Sequence, residues 1–230
     1  MKTRLTTLLN IKYPILQGAM AWVSEANLAA AVSNAGGAGI IATGGRELSW
    51  VKEQIDLAKT LTDKPFGVNV VLQDEDKEEK IDLICNEKVS FVTLGAGNPV
   101  PYIERLKNAG IKVIPVVPNT RLAKRVEENG ADALIIEGME AGGHIGKLTS
   151  LSLMTQVIPE IIIPVIAAGG FAEGRGLAAA LVMGASGIQV GTRFYASEEC
   201  VAHTDAKNAI VAAGDMGTEI TGYLSNHSIR

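Results

Sequence analysis

The sequence predicts a single α/β domain of the (β/α)8 TIM-barrel class, with eight parallel strands and an incomplete C-terminal region. Short apolar segments rich in Val, Ile and Ala alternate with amphipathic segments, and nearly every apolar segment ends in glycine or a polar residue. This alternation requires parallel strands joined by right-handed crossovers, and eight such units form a barrel of about 250 residues. The alternative, a doubly wound open sheet, would show one glycine-rich fingerprint after its first strand.

Eight segments are predicted as strands because they are short, apolar and rich in β-branched residues. They are residues 13–16, 39–42, 66–72, 91–94, 113–117, 133–136, 165–168 and 187–190. Seven segments between them have helical periodicity: 25–35, 48–60, 79–87, 100–109, 120–129, 149–158 and 174–183. After residue 193 only 205–213 is predicted to be helical, so an eighth barrel helix is not evident.

The composition excludes several classes of function. A net charge of −4 over 230 residues gives no reason to expect nucleic acid or an anionic membrane as partner. The longest apolar runs are too short to span a bilayer, and the N-terminus has no signal-peptide pattern. Cys85 and Cys200 show neither a disulfide framework nor a metal spacing, which favours a cytoplasmic protein. The charged run at 73–80 is predicted to be solvated.

Residues 137–146, EGMEAGGHIG, are the strongest candidate for a reactive site because they place His144 among four glycines directly after a strand. A lone histidine is usually structural or exposed, but such a loop at the active face of a barrel is costly in chain entropy unless it wraps a ligand. An imidazole there can donate a hydrogen bond or exchange a proton near neutral pH. We therefore predict that His144 is catalytic, whereas His203 and His227 are predicted at the surface.

Two glycine turns, Gly169-Gly170 and Gly191-Thr192, follow the last two predicted strands. Loops at these positions of a barrel commonly bind phosphate. The alternative is that these glycines serve only as turns. Arg193 can either reach a phosphate or take part in a surface ion pair. Two such turns on adjacent strands favour a phosphate-bearing cofactor.

Two further segments are compatible with a flat cofactor. Asn69 lies inside an apolar strand, and a buried amide must be hydrogen-bonded. Its partner is either backbone or the edge of a heteroaromatic ring, and we favour the ring edge. Gly18, Ala19 and Met20 follow the first strand, where small residues suit a flat cofactor, although Gly18 can equally be a simple turn.

Together these segments resemble the flavin-dependent enoyl-[acyl-carrier-protein] reductases of the FabK type, a group related to the nitronate monooxygenases, formerly called 2-nitropropane dioxygenases. The matching stretches include YPILQGAMAWVSEANLAAAVSNAGGAGII, EAGGHIG, IPVIAAGG and GASGIQVGTRF, and they run from Met1 to about Phe194. The resemblance implies FMN as cofactor and NADH or NADPH as co-substrate. It also implies that a homodimer reduces trans-2-enoyl thioesters on acyl carrier protein in type II fatty acid biosynthesis.

The resemblance further implies which residues contact FMN. Those beside the ring and the ribityl chain are Gly18, Ala19, Met20, Asn69, Glu137, Gly142 and Gly143, and those around the phosphate are Gly169, Gly170, Gln189, Gly191 and Thr192. His144 would lie over the flavin face, where it polarises the thioester carbonyl or relays the proton to C2. In a nitronate monooxygenase the same histidine would remove the substrate α-proton, and O₂ would reoxidise the flavin. No metal ligand is implied.

The resemblance also predicts the domain organisation. Residues 1–200 are expected to form the FMN-binding barrel, and 201–230 the start of a truncated C-terminal covering region. Ala19, Thr43 and Phe171 depart mildly from the family pattern. Two alternative functions follow: a nitronate monooxygenase, or an inactive flavin-binding fragment. A sugar-phosphate isomerase or aldolase is disfavoured because no predicted strand ends in a lysine.

Overall fold

The computed structural model describes residues 1–222 and 228–230, which form a nearly closed barrel of eight parallel strands and confirm the predicted (β/α)8 fold. The strands pair in the order β1-β8-β7-β6-β5-β4-β3-β2. They are β1 Ile15–Gln17, β2 Ile40–Ala42, β3 Gly67–Val71, β4 Phe91–Gly95, β5 Lys112–Val117, β6 Leu134–Glu137, β7 Val165–Ala168 and β8 Gly187–Val190. Every predicted strand overlaps one of these.

The helices are α1 Arg4–Leu9, α2 Ala26–Ala35, α3 Leu48–Leu61, α4 Lys77–Glu87, α5 Val100–Asn108, α6 Thr120–Glu128, α7 Ser150–Val157, α8 Gly174–Val182, α9 Thr192–Tyr195 and α10 Thr204–Ala212. Helices α2 to α8 and α10 correspond to the predicted ones. Helices α1 and α9 were not predicted, because six and four residues are too few to show a helical period.

Two apolar layers hold the barrel together. Successive side chains on a strand point to opposite faces, so on β6 Ile135 enters the barrel interior while Leu134 and Ile136 pack towards the helices. Helix α1 covers the end of the barrel where the strands begin. Its Leu5 is buried against Gly187, the first residue of β8, so a Cβ at Gly187 would lie 2.6 Å from Leu5 Cδ2. The opposite end is therefore left for ligands.

The Gln17 side chain closes the barrel between β1 and β2. The backbones of these strands are bridged at Leu16 and Ala38. Beyond that bridge, Gln17 Nε2 donates to the Ile40 carbonyl oxygen at 3.3 Å, and Oε1 accepts from the Ile40 N–H at 3.0 Å. Nε2 also lies 3.0 Å from Ser24 Oγ. Gln17 is fully buried, at 0% exposure, so its side-chain amide needs hydrogen-bond partners within the protein. Its hydrogen bonds to Ile40 take the place of backbone pairing that β1 and β2 do not make at this point.

We expect Gln17→Leu to lower the free energy of unfolding by about 2 kcal/mol, because leucine leaves the buried Ile40 N–H and carbonyl groups without partners. Urea denaturation, monitored by circular dichroism, measures this free energy. The matched control is Gln189→Leu, since Gln189 lies in the neighbouring strand β8 but its amide has no hydrogen-bond partner among the described residues. An equal loss in both variants would show that the Gln17 amide does not close the barrel.

The charged run at 73–80 is less solvated than predicted. Lys80 is only 1% exposed, and its Nζ lies 2.9 Å from an Asp74 oxygen, 2.8 Å from an Asp76 oxygen and 3.0 Å from the Thr43 carbonyl oxygen. Hydrogen bonds to the two carboxylates outweigh burial, and they raise the pKa of Lys80. The lysine joins the loops that follow β2 and β3.

The segment after β8 does not form a regular barrel helix. Residues around Phe194 and Cys200 pack on Leu28 and Val32 of α2. Every residue of α10 is at least partly exposed. The prediction that 201–230 begins a covering region falls partly on residues 223–227, which include His227 and lie outside the described residues. Among the described helices, none has the length and apolar character needed to cross a membrane.

Candidate functional site

Two adjoining cavities lie at the end of the barrel where the strands finish. The first, of about 450 Å³, is lined by the ends of β2 to β6 and is called here the strand-end cavity. The second, of about 510 Å³, lies beside the ends of β7 and β8 and is called the glycine-turn cavity. The residues that line both cavities are Ala19, Ala21, Glu137, Gly142, Gly143 and Gln189.

Every site residue predicted from the sequence lines at least one of these cavities. Asn69 and His144 line the strand-end cavity. The predicted site residues that line only the glycine-turn cavity are Gly18, Met20, Gly169, Gly170, Gly191 and Thr192. The structure thus brings all the predicted residues to one face of the barrel, while their individual roles remain predictions.

Glu137, the last residue of β6, lies where the two cavities meet. Its carboxyl group has no hydrogen-bond or ion-pair partner among the described residues. Burial alone raises the pKa of Glu137 to about 7. A carboxyl group with this pKa can carry or release a proton near neutral pH, which makes Glu137 the strongest proton-transfer candidate on the cavity wall besides His144.

Glu140, a residue of the glycine-rich loop, anchors that loop to Ser150 at the start of α7. Both Glu140 carboxylate oxygens accept from the Ser150 N–H, at 3.0 and 2.9 Å, and Ser150 Oγ lies 3.0 Å from Oε2. Ser150 Oγ also lies 2.8 Å from the Gly169 carbonyl oxygen. A Cβ at Gly138 would lie 2.2 Å from Ser150 Oγ, so the loop, α7 and the end of β7 require glycine at their contact. The glycines were predicted from the sequence, whereas the hydrogen bonds between Glu140 and Ser150 were not.

His144 is exposed at the mouth of the strand-end cavity. Its backbone is held by the last described residues: the Gly143 N–H donates to the Arg230 carbonyl oxygen at 2.9 Å, and the Ile145 N–H to the Ser228 carbonyl oxygen at 3.0 Å. The imidazole has no hydrogen-bond partner among the described residues. It is therefore free to contact a ligand in the cavity.

The glycine turns after β7 and β8 present unpaired backbone donors. The N–H groups of Gly170, Gly191 and Thr192 make no hydrogen bond to a described residue, and all three residues line the glycine-turn cavity. Gly169 and Gly170 have φ values of 95° and 78°, a conformation that favours glycine. Convergent N–H groups of this kind bind phosphate. Arg193 is exposed and does not line either cavity.

The Asn69 amide already has a partner within the protein. Its Nδ2 lies 2.9 Å from Thr93 Oγ1 and 3.3 Å from the Thr93 carbonyl oxygen on the adjacent strand. Both residues line the strand-end cavity. The backbone partner that the sequence left as an alternative is therefore present, and Oδ1, which has no partner among the described residues, remains available to a ring edge.

An aromatic cluster beside the site was not foreseen. The Arg46 guanidinium lies between both tryptophans, 4.4 Å from the Trp22 ring centroid and 4.2 Å from that of Trp50. It also lies 3.0 Å from a Glu25 carboxylate oxygen. This cation–π stack joins the loops after β1 and β2. The sequence carries no signal for it, because Trp22 lies more than twenty residues before Arg46 and Trp50.

Comparison with known proteins gives consistent results. The nitronate monooxygenase family profile matches residues 2–80 and 75–230. The structure of FabK from Thermotoga maritima is 49% identical and superposes with a TM-score of 0.98, covering 100% of this chain and 74% of that one.

Two groups of curated relatives differ in their described activities. A carboxyl-CoA dehydrogenase that acts on an octahydro-indene substrate in Rhodococcus jostii is 40% identical over 221 residues, 96% of this chain. This chain spans 63% of that relative's length. A probable nitronate monooxygenase of Staphylococcus aureus is 32% identical over 275 aligned positions, covering 100% of this chain and 78% of the relative.

Proposed function

The chain belongs to the nitronate monooxygenase family of flavin oxidoreductases, and from this premise we propose that it reduces trans-2-enoyl thioesters with NADH or NADPH through bound FMN. Its substrates would be enoyl groups carried on acyl carrier protein, in cytoplasmic type II fatty acid biosynthesis. The 49% identity to FabK over the whole chain favours this member of the family. A homodimer is part of the same proposal.

The site fits FMN. The unpaired N–H groups of Gly170, Gly191 and Thr192 suit a phosphate, and Arg230 lines the same cavity. The ring would lie across the boundary between the cavities, where small residues such as Ala19, Gly142 and Gly143 leave room for a flat group. These features of the chain support FMN independently of the resemblance.

When bound, FMN supplies the hydride chemistry, accepting a hydride from the nicotinamide and delivering it to C3 of the enoyl thioester. The residues of this chain bind and orient the cofactor and the substrate, and they transfer protons. An imidazole N–H of His144 donates to the thioester carbonyl oxygen, where negative charge develops during hydride addition. C2 then needs a proton, which either His144 or the neutral Glu137 carboxyl group can provide at pH 7.

One observation carries this proposal: a cavity with an unpaired, exposed histidine opens directly into a cavity with unpaired N–H donors, and Glu137 joins the two. The first compartment suits a neutral acyl thioester and the second suits an anionic cofactor.

The test is anaerobic stopped-flow mixing of the FMN-loaded chain, first with NADH and then with crotonyl-coenzyme A. We expect NADH to bleach the flavin absorbance and the thioester to restore it. Bleaching without restoration would reject the reductase proposal. Bound flavin that neither NADH nor an alkyl nitronate reduces would favour the inactive flavin-binding fragment instead.

A nitronate monooxygenase is the second candidate, because the family profile and the Staphylococcus relative carry that description. The exposed His144 would then act as the base that removes the α-proton of a nitroalkane, which gives the nitronate. Oxygen uptake with ethyl nitronate in the absence of NADH distinguishes the two activities. We expect such uptake to be slow compared with thioester reduction.

A further inference from the structure

Charge is unevenly distributed around the mouth of the strand-end cavity. We define the β4–β6 rim as residues 96–99, 118–121 and 138–149, which follow β4, β5 and β6. Its charged side chains are Arg121, Glu140 and Lys147. The Glu140 carboxylate is already bound by Ser150, so the rim presents two cations and no available carboxylate.

The two cations are free to bind a ligand. Arg121 and Lys147 are both exposed, and neither makes a hydrogen bond or ion pair with any residue in the described part of the chain. Each adjoins a residue that lines the cavity, Leu122 for Arg121 and Gly146 for Lys147. The two loops are in contact, since a Cβ at Gly146 would lie 3.3 Å from Pro118 Cβ. The cations therefore flank one side of the cavity mouth.

The position of Arg121 is unfavourable for the helix itself. It is the second residue of α6, whose first turn has no acidic residue, and the N-terminal end of a helix carries partial positive charge. A cation there opposes the helix dipole, whereas an anion bound between Arg121 and Lys147 would be attracted by both side chains and by the dipole. Helix stability alone gives no reason for an arginine at this position.

The stretch of the mouth next to the rim, at the neighbouring strand β3, has the reverse charge. The loop after β3 carries Asp74, Glu75 and Asp76, of which Asp74 and Asp76 share the buried Lys80. Asp74 and Asp76 are thus paired, so Glu75 is the carboxylate of this loop that has no partner among the described residues, and it repels an anionic group that the β4–β6 rim attracts. The asymmetry gives an extended substrate one orientation, with its anionic part over Arg121 and Lys147.

We propose that Arg121 and Lys147 bind the phosphate of a phosphopantetheine arm, whose thioester end enters the strand-end cavity beside His144. The proposal rests on the proposed function and assigns the place where the carrier half of the thioester is held. Coenzyme A and acyl carrier protein both present this phosphate, so the shared recognition chemistry is a phosphate ester bound by two cations.

The binding test uses isothermal titration calorimetry of the FMN-loaded chain with 4′-phosphopantetheine and with pantetheine, which differs from it only by the phosphate. We expect the double variant Arg121→Ala/Lys147→Ala to weaken 4′-phosphopantetheine binding roughly tenfold and to leave pantetheine binding unchanged. The matched control is Arg125→Ala, an exposed arginine one turn further along the same helix and away from the mouth. Equal weakening of both ligands, or none, would overturn the proposal.

A kinetic test separates the sources of phosphate. KM should rise for crotonyl-coenzyme A and crotonyl-acyl carrier protein in the double variant, and stay constant for the crotonyl thioester of N-acetylcysteamine and for NADH. A rise confined to NADH would assign the cations to the dinucleotide and overturn the proposal. If the unmodified chain reduces no thioester, the proposed function fails, while the calorimetric difference still decides whether the phosphate site exists.

Discussion

Replacing His144 with alanine is expected to lower kcat/KM for thioester reduction about 100-fold, the usual contribution of a positioned proton donor or acceptor. The loss should fall on the step in which the thioester reoxidises the flavin, because the histidine acts on the carbonyl oxygen or on C2. Reduction of the flavin by NADH should keep its rate. Single-turnover stopped-flow measurements of the two half-reactions report these rates separately.

A structural role for His144 would give a different pattern. The imidazole is exposed and has no partner among the described residues, so His144→Ala should leave the melting temperature of the flavin-free chain unchanged. His203→Ala is the control, since His203 is also exposed but caps α10, with Nδ1 accepting from the Asp205 N–H at 3.2 Å. Loss of activity through loss of flavin, or equal slowing of both half-reactions, would show that His144 does not act in the reduction of the thioester.

Glu137→Gln should stabilise the flavin-free chain by about 3 kcal/mol at pH 8.5 and have little effect at pH 4. The carboxyl pKa is about 7 in the folded chain against a usual value of 4.5, so the folded state holds a proton that the unfolded state has lost. Stability contributed by that proton is complete below pH 4.5 and is lost as the pH rises to 7, at about 1.4 kcal/mol per pH unit. Glutamine stays neutral and avoids this loss.

Urea denaturation of both proteins across this pH range measures the difference. Glu104→Gln is the control, because Glu104 is exposed and has no hydrogen bond or ion pair with a described residue. Its effect on stability should be the same at every pH. A pH-independent difference for Glu137→Gln would show that the cavity does not hold a neutral carboxyl group.

The alternation of strands and helices was predictable from the sequence because it depends on local periodicity. The glycine turns and His144 were predictable for the same reason, since a strand and the loop that follows it are contiguous. The bounds of β1 shifted, from 13–16 to Ile15–Gln17, because Gln17 reads as polar although it is fully buried. Its partners come from separate segments of the chain.

Features that depend on distant segments could not be predicted. Lys80 belongs to a run that looks solvated, and only the fold places it against the Thr43 carbonyl group. The raised pKa of Glu137 is likewise a property of the closed barrel, because it arises from burial. The sequence predicted that the buried Asn69 amide needs a hydrogen-bond partner, and the structure shows that this partner is Thr93 on the adjacent strand.

The pairing of β1 with β8 governs the order in which this chain can fold on the ribosome. Strands β2 to β7 each find a partner in the next strand to be synthesised. Strand β1 forms its ladder with Ile188, Gln189 and Val190 of β8. The first of the eight strands to be synthesised therefore cannot complete its pairing until the last of them has been made. Until then the nascent barrel keeps two open edges, at β1 and at the growing end, which are exposed to misassembly. Binding of a chaperone to the emerging N-terminal segment would protect the part of the chain that waits longest.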